Sequence, residues 1–281
     1  MEGQRVTTER SAAPTGGWRR PFVTALGRVV WASILPVILV AAYGWWAGSA
    51  ANPYFPPIGR MLTSFVDTWV GAGFTQHVVP SLWNLVRGYI AGLALGVLGG
   101  VAIGRLPRVR AALDPEVNFV LTIPAVALLP LFLILLGVGS QLQVVMIAFS
   151  VFFYVLVTTA NAIRGIEPVL LDTAAVFRVQ GWRRLLLVYI PSAIPEIVSA
   201  ARVTLSMAVL VMVVSEMSGA SRGIGAVTLL SQQSFAYDTM WAGMLLLALI
   251  GIGSNALFAA LERAVLTRVG DEQPTQTGVI R

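Results

Sequence analysis

The feature that most constrains this chain is a series of long apolar stretches that carry almost no charge. The first, residues 29–47, has no charged side chain at all, and a membrane-spanning helix needs about 20 mainly apolar residues. Only 11% of the 281 residues are charged, 57% are hydrophobic and the mean hydropathy is +0.79. Because a soluble domain of this size needs a more charged surface, we predict an all-α polytopic membrane protein.

Six stretches are long and apolar enough to be transmembrane helices. We place them at about 29–47, 83–104, 114–138, 141–163, 202–216 and 239–261. This predicts a disordered tail over 1–28, a membrane domain over 29–262 and a second tail over 263–281. A cleaved signal peptide is the competing interpretation of 29–47, although that run exceeds a usual signal core. Residues 58–69 have one apolar face and are predicted to form an interfacial helix.

The distribution of arginine predicts how the chain is oriented. All 19 basic residues are arginine, and 15 of them fall in the tails and in the two segments that join spans 2 to 3 and 4 to 5. Only Arg60, Arg222 and Arg87, which lies in the first turns of the second span, fall on the opposite side. Since arginine is enriched in cytoplasmic loops, both termini are expected in the cytoplasm, and the positive charge does not indicate nucleic-acid binding.

Glycine recurs every fourth residue along the second span. Such a stripe removes side chains from one helix face, so another helix is expected to pack closely against it. The stripe predicts compact helix packing and no particular substrate. Its members are Gly88, Gly92, Gly96, Gly100 and Gly104.

Two spans contain candidate residues for a translocation path. The third contains Thr122 and Pro124, and a proline frees a backbone carbonyl that a path or a neighbouring helix must satisfy. In the fifth, Arg202 and Glu216 are 14 residues apart, about 21 Å along a helix and less than a hydrocarbon core of about 30 Å. Glu216, with Ser215 beside it, is therefore expected to face the interior. A path and a buried structural role both remain open for these residues.

The segment over 166–196 is the longest interruption between the later spans. Its apolar residues recur at helical spacing over about 169–186, too polar a helix to span, and it carries Arg178, Arg183 and Arg184. It ends on a Pro191-x-x-x-Pro195 step. We interpret it as a cytoplasmic helix against which a soluble partner packs, with an ordinary connecting loop as the alternative.

The composition argues against chemistry carried out by this chain alone. A phosphate-binding G-x-x-x-x-G-K-[ST] loop needs lysine, and the sequence has none. With no cysteine and a single histidine, His77, no nitrogen and sulfur metal cluster is expected. We therefore expect no metal, no bound cofactor and no catalytic residue.

The cytoplasmic segment resembles the coupling loop of permease subunits of bacterial ABC importers. Aligned without gaps on Ile190-Pro191, the chain has Asp172-Thr173-Ala174 at the Glu-Ala-Ala positions of that loop and Arg178 where the family usually has glycine. Gly181 follows three residues later, and an alignment on Gly181 would require a shortened loop. The resemblance implies that Asp172, Thr173, Ala174, Arg178, Gly181 and Pro191 belong to the contact with an ATPase subunit.

Other stretches are similar to the nitrate, sulfonate and taurine branch of these permeases. Together they extend the similarity over about 30–268. They are FPP at 55–57, the segment 81–87, LDP at 113–115, IPAVALLPL at 123–131, GVG at 137–139, the segment 191–197, SEM at 215–217 and RGIG at 222–225.

The resemblance implies the six-helix fold of type I importer permeases in a bacterial inner membrane. Two copies would enclose a path, two ATPase subunits would bind ATP and magnesium, and an external solute-binding protein would deliver a sulfonate, taurine, nitrate or, in related members, a vitamin precursor. Two other classes stay open: an ion-coupled secondary carrier with Glu216 as its relay, and a membrane enzyme or structural protein.

Overall fold

The computed structural model describes residues 20–49 and 52–270, in which every regular element is helical. The chain divides into two compact units, Met1–Ile58 and Gly59–Arg281. In the first unit α1 covers Arg20–Ser49, so residues 20–28, which we expected in a disordered tail, are helical. Pro21 suits a first helical turn, which explains why the helix begins so early. Residues 1–19 of the predicted tail lie outside the described residues.

The other helices follow in chain order. They are α2 Ile58–Trp69, α3 Val79–Arg105, α4 Pro107–Leu121, α5 Leu129–Leu136, α6 Ser140–Arg164, α7 Pro168–Val176, α8 Gly181–Arg184, α9 Ile190–Met217, α10 Ile224–Gln233 and α11 Tyr237–Gly270. Single π-helical turns, Phe74–Val78 and Leu185–Tyr189, lead into α3 and α9. The final helix continues to Gly270, so much of the predicted C-terminal tail is helical, and residues 271–281 lie outside the described part.

Four of the described helical stretches are long and apolar enough to cross a membrane, namely Phe74–Arg105, Ser140–Arg164, Gly181–Met217 and Tyr237–Ala264. The pair Pro107–Leu121 and Ala125–Leu136 gives a fifth span if it is counted as one. The described apolar part of α1, Ile34–Ser49, is shorter. The five stretches correspond to the second to sixth predicted spans, whereas the first predicted span, 29–47, falls in α1, whose described apolar part is shorter than a span.

The third span is not the single irregular helix that we expected. α4 ends at Leu121, and the chain bends by 89° before a short 3₁₀ turn, Ala125–Leu128, leads into α5. Pro124 explains the break, because proline disfavours the helical conformation in the residue before it and cannot donate a backbone hydrogen bond.

The glycine stripe of α3 packs against α6. A Cβ atom added to Gly92 would lie 2.6 Å from the Ala148 carbonyl oxygen and 2.8 Å from the Val151 Cβ. The same contact repeats along both helices between residues that are always 59 positions apart in the sequence. The helices α3 and α6 therefore run parallel in a single register. The residues facing the five glycines are Ile147, Val151, Val155, Thr159 and Ile163, all of them β-branched.

Buried polar contacts add to this register. Asn84, one turn before the stripe, donates from its amide to the Gln143 side chain at 2.5 Å, again 59 residues away. The Tyr89 hydroxyl donates to the Ala201 carbonyl at 2.6 Å and ties α3 to α9. The bilayer core contains no water that could replace these hydrogen-bond partners, so both contacts favour the packed arrangement of the helices.

An ion pair joins the last two spans. The Arg202 guanidinium lies 3.0 Å from a carboxylate oxygen of Glu262, so the middle of α9 is linked to the C-terminal part of α11. The pairing lowers the cost of holding the Arg202 charge within the candidate span Gly181–Met217.

Candidate functional site

The segment between α6 and α9 is two short helices and not the single helix predicted over 169–186. α7 ends at Val176, and the next residues form a left-handed C-terminal cap. Val179 N–H donates to the Ala174 carbonyl at 2.8 Å and Arg178 N–H donates to the Ala175 carbonyl at 2.9 Å. This bond pair is the Schellman motif, which usually places glycine at the left-handed position.

Arg178 occupies that left-handed position with φ at 54°. It is the residue that the ungapped alignment sets opposite the usual glycine of the coupling loop, so the turn keeps the glycine geometry without the glycine. A non-glycine residue in this conformation is strained by about 1–2 kcal/mol. The segment holds its shape despite that strain.

Replacing Arg178 by glycine is expected to stabilise the protein. The left-handed strain disappears, and after the larger chain entropy of unfolded glycine is subtracted, a gain of about 0.5–1 kcal/mol remains. Thermal unfolding in detergent measures it as a rise of a few degrees. Arg178→Ala is the matched control, because it removes the guanidinium and keeps the strain. Equal melting temperatures for the two variants would contradict this account.

Exposed apolar side chains lie at the end of α7 and on α8, the short helix that begins the candidate span Gly181–Met217. Val176, Phe177 and Trp182 are 80%, 75% and 69% exposed. Large apolar groups clustered on a connecting segment indicate a surface that another protein covers. We call Val176, Phe177 and Trp182 the apolar tip.

The predicted coupling residues divide between the exposed and the buried face of this segment. Asp172 and Thr173 are exposed, whereas Ala174 is only 6% exposed and packs within the chain itself. Gly181, with φ at 59°, begins α8, and Pro191 lies in the first turn of α9. A substitution at Ala174 would therefore disturb the segment's own packing before it reached a partner.

Glu216 lies at the end of α9, where it meets the start of α10. Its side chain is 1% exposed, and its Oε2 accepts a hydrogen bond from Gly225 N–H at 2.8 Å. A carboxylate at a helix N-terminus is favoured by the free N–H groups and the helix dipole. The other oxygen, Oε1, has no hydrogen-bond partner among the described residues.

Ser81 and His77 also contact the start of α10, and the sequence did not indicate that they are neighbours of Glu216. The Ser81 hydroxyl accepts from Ile224 N–H at 3.1 Å, and the His77 Nδ1 accepts from Gly223 N–H at 3.3 Å. α3 and the turn before it therefore bind the N-terminus of α10 from one side while Glu216 binds it from the other. Ser81, 0% exposed, could have been suspected as a polar residue two turns before the glycine stripe.

The remaining path candidates lie elsewhere. Pro124 lines a cavity of about 300 Å³ at the break of the third span, together with Ser150 and Tyr154. Thr122 is exposed beside the break and donates to the Phe119 carbonyl at 2.7 Å. Ser215 is buried, and its hydroxyl donates to Met212 of its own helix. The lining of this cavity does not include Glu216, which faces a separate pocket with His77.

No cluster of three or more histidine, cysteine or carboxylate side chains suited to a metal ion occurs in the described part of the chain. The arrangement binds helices to one another and offers a surface for a partner.

The chain is similar in sequence to known membrane transport proteins. The sequence profile of the binding-protein-dependent transport system inner membrane component family matches residues 88–269. The putative aliphatic sulfonates transport permease protein SsuC of Bacillus subtilis strain 168 is 28% identical over 83% of this chain and 85% of its own length. The taurine transport system permease protein TauC of Escherichia coli K12 is 28% identical over 91% and 94%.

A solved structure shows the same fold. A chain of the MetNI methionine ABC transporter, in an inward-facing conformation, superposes with a TM-score of 0.57 and 21% identity over 67% of this chain and 94% of that one. The all-α prediction and the type I importer permease fold are confirmed by this likeness and by the family match.

Proposed function

Since this chain belongs to the family of binding-protein-dependent transport system inner membrane components, we propose that it forms, as a homodimer, the path by which a small sulfonate enters the cell. Members of this family are permease subunits of ABC importers, so the chain is a membrane subunit that works with an ATPase subunit and a solute-binding protein. It is not itself the enzyme: ATP hydrolysis belongs to the separate ATPase.

The apolar tip is the observation that carries the coupling mechanism. Val176, Phe177 and Trp182 are exposed on the segment that connects the spans α6 and α9, and each ATPase subunit binds there. ATP and magnesium are held by the ATPase. Closure of the two ATPases pulls on the two tips, and the spans joined to them switch the path between inward- and outward-facing states, an alternating-access cycle.

The orientation of the chain follows from the same proposal. The tip has to face the ATPases, which places both termini and the arginine-rich segments in the cytoplasm, in keeping with the bias in arginine. Residues 58–69 and α10 then lie toward the outer side, where the solute-binding protein approaches.

The proposed solute class rests on the relatives named for aliphatic sulfonates and for taurine, which match most of the chain. Both names share a sulfonate group on a short carbon chain. Nitrate and vitamin precursors, the other cargoes implied by the family resemblance, are the competitors in the test below.

The test uses the full chain in proteoliposomes with its ATPase and its solute-binding protein. Wild type is expected to retain the ATPase and to show ATP hydrolysis stimulated by taurine or an alkanesulfonate, and not by nitrate or a thiamine precursor. Phe177→Asp with Trp182→Asp is expected to lose both capture and stimulation, because a charge desolvated in an apolar contact is strongly unfavourable.

The control keeps the tip apolar. Phe177→Leu with Trp182→Phe is expected to retain capture and most of the stimulation. Normal ATPase capture by the aspartate variant would contradict the docking surface. Sulfonate uptake that needs a proton gradient and no ATPase would replace the proposal by an ion-coupled carrier.

A further inference from the structure

Two arginines meet on one aromatic ring at the edge of the membrane domain. The guanidinium carbon of Arg105 lies 5.1 Å from the ring centroid of Tyr189, and that of Arg184 lies 5.8 Å from the same centroid. Both distances are within the range of a cation–π contact. The two positive charges are therefore at most about 11 Å apart, although Arg105 and Arg184 come from distant parts of the sequence.

Within residues 52–270 neither of these charges has a carboxylate partner. The salt bridges of the described residues involve Arg110, Arg164 and Arg202, and none involves Arg105 or Arg184. Arg184 donates one N–H to the Leu171 carbonyl at 3.0 Å, but its Nε is buried without an acceptor. A buried N–H of a charged group without a partner is unfavourable, and two neighbouring cations repel each other. An anion that contacts both guanidinium groups would reduce the repulsion between them.

The position of the pair indicates what that anion is. Arg105 is the last residue of one candidate span, Phe74–Arg105, while Arg184 and Tyr189 lie in the first turns of another, Gly181–Met217. The site is therefore at the level where a bilayer passes from acyl chains to headgroups. The neighbouring apolar side chains are exposed and available for acyl chains; they are Leu106, Leu186 and Leu187.

We propose that Arg105, Arg184 and Tyr189 form a binding site for the headgroup phosphate of an anionic phospholipid. Guanidinium groups donate paired hydrogen bonds to phosphate oxygens, and a tyrosine at a membrane interface adds its hydroxyl as a donor. The lipid's acyl chains lie along Leu106, Leu186 and Leu187. This site is independent of the solute that the protein carries.

The bound lipid has a mechanical consequence. Arg184 contacts the Leu171 carbonyl of α7 as well as Tyr189, and Arg105 belongs to the end of α3. A phosphate that binds both arginines therefore fastens the coupling segment to the end of α3. Anionic lipid is expected to strengthen the link between the apolar tip and the spans.

The experiment measures lipid retention by the full-length chain. The protein is reconstituted in nanodiscs of phosphatidylcholine with a minor fraction of phosphatidylglycerol, released, and the bound lipid is counted by native mass spectrometry. Wild type is expected to retain phosphatidylglycerol in preference to phosphatidylcholine. Arg105→Gln with Arg184→Gln is expected to reduce that preference by about thirtyfold, or about fivefold for each arginine.

Three further variants keep the result interpretable. Arg60→Gln with Arg87→Gln removes two exposed arginines elsewhere and is expected to leave the preference unchanged. Arg105→Lys with Arg184→Lys retains the charges but not the paired hydrogen bonds, so an intermediate preference is expected. Tyr189→Leu keeps both arginines and removes the ring and its hydroxyl; a partial loss is expected. The lysine and leucine variants decide the matter if the glutamine variant does not fold.

Several outcomes would overturn the proposal. One is an undiminished preference in the glutamine variant. Another is displacement of the lipid by excess inorganic phosphate, which would indicate a site for free phosphate. A third is loss of ATPase capture by the glutamine variant while its preference for phosphatidylglycerol stays unchanged, which would assign Arg105 and Arg184 to the protein partner.

Discussion

Replacing Gly92 by alanine is expected to destabilise the membrane domain by about 2 kcal/mol, the usual cost of overpacking a close contact. The new Cβ would lie 2.6 Å from the Ala148 carbonyl oxygen and 2.8 Å from the Val151 Cβ, so α3 and α6 would have to separate. Neither neighbour is the tip of a flexible side chain that could turn away. Thermal unfolding in detergent should show a fall of several degrees, with more aggregate on gel filtration.

Gly253→Ala is the matched control. Gly253 also lies in a membrane helix, α11, but an added Cβ there meets nothing within 4 Å. Both variants gain the same helix propensity from alanine, so the difference between them isolates the crowding at Gly92. A Gly92→Ala protein as stable as the Gly253→Ala protein would show that the α3–α6 contact is looser than the structure has it.

Replacing Glu216 by alanine is expected to cost about 2–3 kcal/mol, because the buried N–H of Gly225 loses its acceptor. Glu216→Gln retains an oxygen that can accept the bond and should cost about 1 kcal/mol. The measurement is thermal stability alongside solute-stimulated ATPase activity. Stability and activity should fall together, since α10 would lose its N-terminal attachment to α9.

Ser215→Ala is the comparison for Glu216. Ser215 is equally buried, but its hydroxyl bonds only to Met212 of its own helix, so its loss should have a much smaller effect. A Glu216→Ala protein with normal stability and no transport would indicate that Glu216 lines the translocation path. That result would mean that the hydrogen bond to Gly225 does not hold α10 in place.

The spans were largely predictable from the sequence because hydrophobic length is a local signal. The partner of the glycine stripe was not identified, although a matching signal was present: the β-branched residues that face the glycines recur every fourth position from Ile147 to Ile163. A period of four in both stretches could have paired them. The 89° break of the third span was harder to predict, since prolines occur in both kinked and broken membrane helices.

The coupling segment shows the limit of periodicity. The apolar residues between 169 and 186 follow a helical spacing across two helices, so spacing alone did not reveal the turn at Arg178. The family resemblance set Arg178 opposite a glycine, and the structure gives this residue a left-handed backbone. Likewise, the role of Glu216 depends on Gly225 N–H, a contact that hydropathy cannot indicate.

The fixed offset between α3 and α6 restricts how these helices can move. Because a β-branched side chain faces a glycine at every fourth residue, a shift by one or two residues would drive Cβ atoms into side chains, and only a slip of four residues, about 6 Å, restores the fit. Even that slip would break the Asn84–Gln143 bond. We therefore expect α3 and α6 to move together as one rigid body. A force applied at α7 would tilt this pair of helices and would not slide one helix along the other.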